Sequence, residues 1–194
     1  DQEIFSQEEM IQLFSFDSVN TSAAVFDPGK LSWLNEHYIK NTPPKELALH
    51  LEPFLISKGI LQEDHGLNVE EIAKVIPSLN QRAKTLAEMA EKSTFYFKKE
   101  VEFDEKAKAK FLVPEVRPLL EKAIVGLSQL DSFSAEEIEA LFNQIVKEEG
   151  VKLGKLAQPI RVALTGATVS PGIYDVILLL GKEESLKRLN QALP

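Results

Sequence analysis

An all-α fold is what this 194-residue sequence predicts, and three features predict it. Apolar residues recur at helical spacing in stretch after stretch. Nothing alternates with strand period for long enough to make a sheet. Helix punctuation is frequent: Ser6 with Glu9, Ser78 with Gln81 and Ser134 with Glu137 have the spacing of capping boxes, and Gly150, Gly166 and Gly181 fall where helices would stop.

Residues 6–16 place Met10, Ile11, Leu13 and Phe14 on a short amphipathic helix, and a polar loop is expected over 17–21. Asp27 and Pro28 supply an N-cap and first helical residue for a helix over 30–39, with Leu31, Leu34 and Tyr38 on one face. Trp33 and Tyr38 fit a core or a domain seam better than base-stacking platforms. The double proline 43–44 marks a first boundary. Residues 45–57 read as helix bent at Pro53, 59–68 as a loop with one apolar turn, and 69–76 as a short helix. The main helix of this region is expected to start at Ser78 and run to about Lys92, with Leu79, Ala83, Leu86, Met89 and Ala90 inward and Arg82 beside that stripe. Phe95, Tyr96, Phe97 and Phe103 would close a core. The mixed charges of 98–110 mark a second boundary. Helix follows from Lys106 to about Leu130, with breaks tolerated at Pro114 and Pro118. A further helix with Ile138, Leu141, Phe142, Ile145 and Val146 on one face then ends at Gly150, and the last, 183–193, turns Leu186, Leu189 and Leu193 inward.

Composition narrows the classes of function. There is no cysteine, which excludes disulfides and thiolate metal sites, and His37, His50 and His65 lack ligand spacing, so no metal is expected. No apolar run approaches the ~20 residues needed to span a bilayer, and the expectation is a cytoplasmic protein without membrane contact. The start at Asp1, directly ahead of a helix signal, is expected of a piece of a longer protein. Net charge is −8, but it is unevenly spread. Residues 1–77 hold 5 Lys and Arg against 13 Asp and Glu, and 111–150 hold 3 against 8; residues 78–110 hold 8 against 6 and 151–194 hold 6 against 3. The two net-positive segments suit local, salt-sensitive contact with an anionic partner.

The stretch VKLGKLAQPIRVALTGATVSPGIYD, residues 151–175, concentrates the binding chemistry. Gln158 and Pro159 look like the last loop residue and first residue of a short helix ending at Gly166. Ser170, Pro171 and Gly172 repeat the device, with Ser170 as N-cap of an apolar helix from Ile173 to Leu180 that stops at Gly181. Two helix N-termini would present unpaired N–H groups to phosphates or base edges, with Lys152, Lys155 and Arg161 adding charge.

Three segments carry a resemblance: KLGKLAQPIRVALTG with the following SPGIYDVILLLGKEESLKRLNQAL, FDPGKLSWLNEHYIK at 26–40, and IPSLNQRAKTLAEMAEKSTFYF at 76–97. In this order they resemble the C-terminal half of bacterial glutamyl-tRNA synthetases. The resemblance implies a helical cage of two anticodon-binding subdomains, 45–105 and 106–194, preceded by the tail of a stem-contact region, 1–44. It implies recognition of the anticodon loop of tRNA(Glu) within a class I ligase that uses ATP and Mg2+. Neither ATP signature of such enzymes is in the sequence, so the chain alone is expected to hold no cofactor or catalytic residue and to be inactive. It would act, as a monomer, with its own catalytic domain.

The position of Arg82, just before the residue preceding KTL, resembles that of an arginine reading the third anticodon base in this family. Arg161 and the run Ser170, Pro171, Gly172 and Ile173 would take the first and second bases, Gln158 and Thr165 are further polar candidates, and Lys152 and Lys155 are phosphate candidates. Two alternatives stay open on sequence alone. One is a helical protein-interaction module using the acidic face of residues 1–77; the other is a relaxed synthetase that also accepts tRNA(Gln).

Overall fold

The computed structural model describes residues 2–19, 22–23 and 25–194, and within them every regular element is a helix. The first, α1 (Gln7–Leu13), is closed by the expected capping box: Ser6 Oγ accepts the Glu9 amide at 3.1 Å and the Glu9 carboxylate accepts the Ser6 amide at 2.7 Å. No residue of α1 is buried. The loop expected over 17–21 begins inside a 3-10 turn, Phe16–Ser18; residues 20 and 21 lie outside the described residues, as does the start at Asp1. Asp27 caps α2 (Pro28–Asn41) by accepting the amides of Gly29 and Lys30.

Helices α3 (Pro44–Ser57), α4 (Val69–Leu79) and α5 (Leu86–Phe97) enclose one apolar core with Leu51, Leu55, Ile72, Ile76, Leu79 and Met89 fully buried. Each such side chain contributes roughly 1.5–3 kcal/mol by leaving water. Helices α6 (Glu105–Phe111), α7 (Arg117–Gln129), α8 (Ala135–Glu149), α9 (Leu153–Thr165) and α10 (Ile173–Gln191) surround a second core that includes Leu120, Leu127, Ile138, Phe142, Ile160, Ile177 and Leu189. The aromatic run at the end of α5 divides between them. Phe95, with Phe103, packs on the second core, whereas Tyr96 and Phe97 pack on the first.

Several local expectations are corrected. Ser78 does not start a helix. It sits within α4, its hydroxyl donating to the Val75 carbonyl and bonded to Tyr96 Oη, whose phenol burial pushes up to about 12. The cap of the next helix is Thr85, whose Oγ1 accepts the Glu88 amide at 3.1 Å. Both Ser-x-x-Gln and Thr-x-x-Glu have cap spacing; burial of Leu79 and Ala83 puts the chain break between them. Arg82 therefore lies on the connecting turn, not on a helix flank.

Pro159 is likewise interior to α9, which starts at Leu153. A proline there removes one amide, the i→i−4 donor to the carbonyl of Lys155, an exposed residue in the first turn of the helix. Ser170 is not the N-cap of α10; Gly172 is. In the stretch 106–130, where breaks at Pro114 and Pro118 are expected, α6 ends at Phe111, a 3-10 turn takes Pro114–Val116, and Pro118 falls in the first turn of α7. Gly150 and Gly166 end their helices in the left-handed conformation, and Gly181 breaks α10 at φ 79°, ψ 167°. Trp33 and Tyr38 are not in a core: they are 43% and 49% exposed.

Candidate nucleic-acid interface

Two turns face each other between the cores. The α4–α5 turn carries Arg82; the α9–α10 turn carries residues 166–172. They border a cleft of about 650 Å3 lined by Arg82, Lys92, Phe95, Glu102, Ser170 and Pro171 among others. Its depth depends on how the two halves are fastened. Arg188, 3% exposed, donates from Nη1 to the carbonyls of Phe95 and Leu164 and from Nη2 to that of Lys98, while its Nε meets Glu184. Asp104 N donates to the Gly166 carbonyl at 2.9 Å. Gly166 is required there: a Cβ would stand 2.0 Å from the Glu102 carbonyl oxygen.

Arg161, on α9, is half-buried beside this cleft. Its Nη1 donates to the Pro171 carbonyl at 2.7 Å and to Ser170 Oγ. Burial, and then the neighbouring Arg82 charge, depresses the Arg161 pKa. The Arg82 charge is thus near enough to act on Arg161, and two like charges on one side of the cleft favour an anionic occupant. Arg82 itself is exposed, and among the described residues no hydrogen bond or ion pair engages its guanidinium.

Of the sequence-nominated residues, Arg82, Thr165, Ser170 and Pro171 line this one cleft, and Arg161 braces its wall. Thr165 is spent internally. Its hydroxyl donates to the Arg161 carbonyl at 2.8 Å and accepts the Ala167 amide. Gly172 is exposed and Ile173 is buried in the second core, so this pair offers backbone groups rather than side chains. Asp175 alters the expectation for the α10 start. Its carboxylate lies over Gly172, in the first turn, which discourages phosphate there. Gln158 does not reach the cleft lining; its Oε1 is buried without a hydrogen-bond partner. Lys152 and Lys155 are exposed at the opposite end of α9, roughly 15–20 Å along its axis from Thr165.

Sequence reasoning missed Lys92, which also lines the cleft, Phe95 as part of its wall, and Arg188, which joins its halves. For Lys92 a signal exists: it follows Glu88 by four residues, the spacing of an intrahelical ion pair. For Arg188 there is none, because its partners lie up to 93 residues away. Among the described residues, no group of three or more His, Asp or Glu side chains is placed to hold a metal, and no helix is long and apolar enough to cross a membrane.

Comparison with known proteins bears on this geometry. Residues 46–193 match the family described as the anticodon binding domain. This chain belongs to that family. The match takes in the second core, all of the first but Ile39, and both turns of the cleft. Glutamate–tRNA ligase of Syntrophobacter fumaroxidans is 49% identical over 193 residues, and that of Geotalea uraniireducens is 46% identical. Each alignment covers 100% of this chain but only 40% of the relative, so the chain spans well under half the length of these ligases. A crystal structure of a glutamate tRNA ligase from Elizabethkingia meningosepticum superposes with a TM-score of 0.85 at 28% identity. It covers 98% of this chain and 37% of that one. The anticodon-binding fold is therefore all-helical here as in that neighbour.

Proposed function

We propose that this anticodon-binding chain reads the anticodon loop of tRNA(Glu) for a cytoplasmic glutamate–tRNA ligase. It would position the tRNA for ATP- and Mg2+-dependent glutamylation carried out by a catalytic region outside this sequence. One observation carries the reading. Arg82, on the α4–α5 turn of the first core, and the Ser170–Pro171 turn of the second, which Arg161 holds from α9, border one cleft large enough for unstacked bases and walled by Phe95. Proteins read such bases by their exposed edges, and a guanidinium fork donates two hydrogen bonds to one edge.

In this reading Arg82, unpaired and exposed, takes the third anticodon base. Arg161 with the 170–173 segment takes the first and second, chiefly through main-chain groups, because its guanidinium fixes that segment at Pro171. Thr165 shapes the wall as a helix-end residue, and Gln158, with its Oε1 buried, stays away from it. Lys152 and Lys155 supply phosphate contacts away from the cleft. Residues 1–44 form the tail of a stem-contact region, and 45–105 and 106–194 form two subdomains, a division supported by the two separate cores.

The exposed apolar side chains of the first part fit a docking role toward the catalytic region. Ile11, Phe14, Phe16, Phe26, Leu31 and Trp33 are between 43% and 86% exposed. Large apolar side chains left in water in this number suit cover by another surface.

The test is binding of this chain, as a monomer, to two anticodon stem-loops that differ only in the third base, C against G, at low and moderate salt. Tighter binding to C supports the reading, and Arg82→Ala is expected to erase the preference. Equal binding of both would replace it with a relaxed reader that also accepts tRNA(Gln). Absence of binding at low salt would sink the RNA role altogether.

A further inference from the structure

The turn that carries Arg82 is held almost atom by atom, although the Arg82 side chain is not. The Arg82 amide donates to the Leu79 carbonyl at 2.8 Å. Its carbonyl accepts a hydrogen bond from Lys92 Nζ. Ala83 is buried to 2% exposure and pins the middle of the turn to the first core. The Lys84 amide donates to Glu88 Oε2 at 2.8 Å, and the Lys84 carbonyl accepts from Asn35 Nδ2 on α2. Glu88 Oε1 in turn accepts Lys92 Nζ at 2.6 Å. One lysine thus joins the helix that leaves the turn to the carbonyl of the residue proposed to read the base.

We propose that Lys92 is a positioning residue for Arg82, fixing the direction in which the arginine side chain enters the cleft, with Glu88 orienting the lysine. The inference rests on the anticodon reading above and names what makes Arg82 selective within it. An exposed ion pair four residues apart on a helix contributes little to stability, so stability alone does not account for the arrangement. The Glu88 bond would serve helix α5 without any third partner. The additional bond to the Arg82 carbonyl serves the turn. A base-reading arginine needs its Cα held, because discrimination between bases depends on donor directions that loosen when the backbone rotates.

Lys92 also lines the cleft, so a direct phosphate contact by its ammonium is the rival role. The two roles differ in what they do to selectivity. A phosphate contact acts on every sequence alike and appears in the salt dependence; a positioning contact acts on the ratio between sequences.

The experiment measures binding of the C and G stem-loops to the chain and to its Lys92→Met, Lys92→Arg, Arg82→Ala and doubly substituted Arg82→Ala/Lys92→Met variants, over a range of salt. Lys92→Met is expected to lower the C-over-G ratio by about tenfold, the size of one well-made base-edge contact, with thermal unfolding and the salt slope nearly unchanged. Lys92→Arg, which keeps a donor in reach of the carbonyl, should recover most of the ratio. In the Arg82→Ala background, Lys92→Met should change the ratio no further, because the lysine acts only through the arginine. Equal weakening of both RNAs by Lys92→Met with a reduced salt slope would make the lysine a phosphate contact and overturn the inference. So would a ratio that Lys92→Met leaves intact while Arg82→Ala abolishes it. If the unsubstituted chain shows no preference for C, the third-base reading itself fails and takes this inference with it.

Discussion

Arg188 donates from Nη1 to the main-chain oxygen of Phe95 at 2.8 Å, and by that bond the last helix holds the end of α5 against the second core. The same guanidinium bonds Leu164 and Lys98 carbonyls and meets Glu184. A buried cation is costly to desolvate and is tolerated here because its donors are engaged in a fixed fork. Replacing it with Met would leave three carbonyls short of a donor and Glu184 without its buried partner. Arg188→Met is expected to lower stability by about 3 kcal/mol in urea unfolding, and Arg188→Lys to recover only part, since an ammonium cannot span the same three carbonyls. Because Phe95 walls the cleft, RNA binding should weaken even where the variant remains folded.

Gly166 and Gly150 make a matched pair for separating conformation from contact. Both have positive φ, 77° and 63°, but a Cβ at Gly150 would meet nothing within 4 Å, whereas one at Gly166 meets the Glu102 oxygen at 2.0 Å. Gly150→Ala should therefore cost only the left-handed penalty, about 1 kcal/mol. Gly166→Ala adds a backbone displacement and should cost at least about twice as much. Thermal unfolding of the two variants distinguishes them, and similar losses would contradict the close approach of 102 to 166.

The Arg82 turn has a built-in acid limit. Glu88 has its carboxyl held below the usual carboxylate range, first by the Lys92 hydrogen bond and then by the Lys84 amide, against some desolvation. Lys84 and Glu36 are the other charged groups nearby. The folded pKa lies below the ordinary value of 4.5, so the stabilising contribution is fully present above that value and is lost as pH falls through the lowered one. In an NMR titration the Lys84 amide proton should keep its position down to about pH 4.5 and then move as Glu88 protonates. A Lys84 amide that shifts around neutral pH would show that Glu88 does not hold it.

Trp33 gives an optical reading of the first part of the chain, since it is the single tryptophan. At 43% exposure its emission should be that of a wet indole and strongly quenched by acrylamide. Mixing with the catalytic region of a related ligase should shift the emission to the blue and reduce quenching. An unchanged spectrum under conditions where the two parts associate would remove Trp33 from the proposed docking face.

The legible parts of this molecule were those decided by neighbours in sequence. Ser134 with Glu137, the apolar stripe through Phe142, and Gly150 define α8 without reference to anything distant. Turns bounded by proline misled, for a common reason. Pro77, which falls between the helix expected over 69–76 and the one expected from Ser78, and Pro159, expected as a first helical residue, each lie inside a helix whose apolar face is buried, and packing outweighs one missing amide. The error at Ser78 mattered most, because it put Arg82 on a helix flank instead of a clamped turn. Residue identity at the cleft was readable through a resemblance; the facing of the two turns was not. That arrangement depends on Arg188, Gly166 and Asp104, whose partners are far along the chain and leave no periodic trace.

The lysines of α9 and the arginine on the same helix should separate by what they do to specificity. Lys152 and Lys155 are exposed at the helix start, whereas Arg161, about two turns further along, is half-buried and bonded to Ser170 and Pro171. Lys152→Ala and Lys155→Ala should weaken binding of all stem-loops alike, each reducing the log–log salt slope by about 1. Arg161→Lys should instead flatten the response to first- and second-base changes by roughly 1–3 kcal/mol, because one ammonium cannot both fix the Pro171 carbonyl and present a planar fork. Filter binding across stem-loops substituted at each anticodon position tests both at once. A uniform loss from Arg161→Lys, with an altered salt slope, would reduce Arg161 to a phosphate contact and leave the 170–173 segment without its proposed part in reading bases.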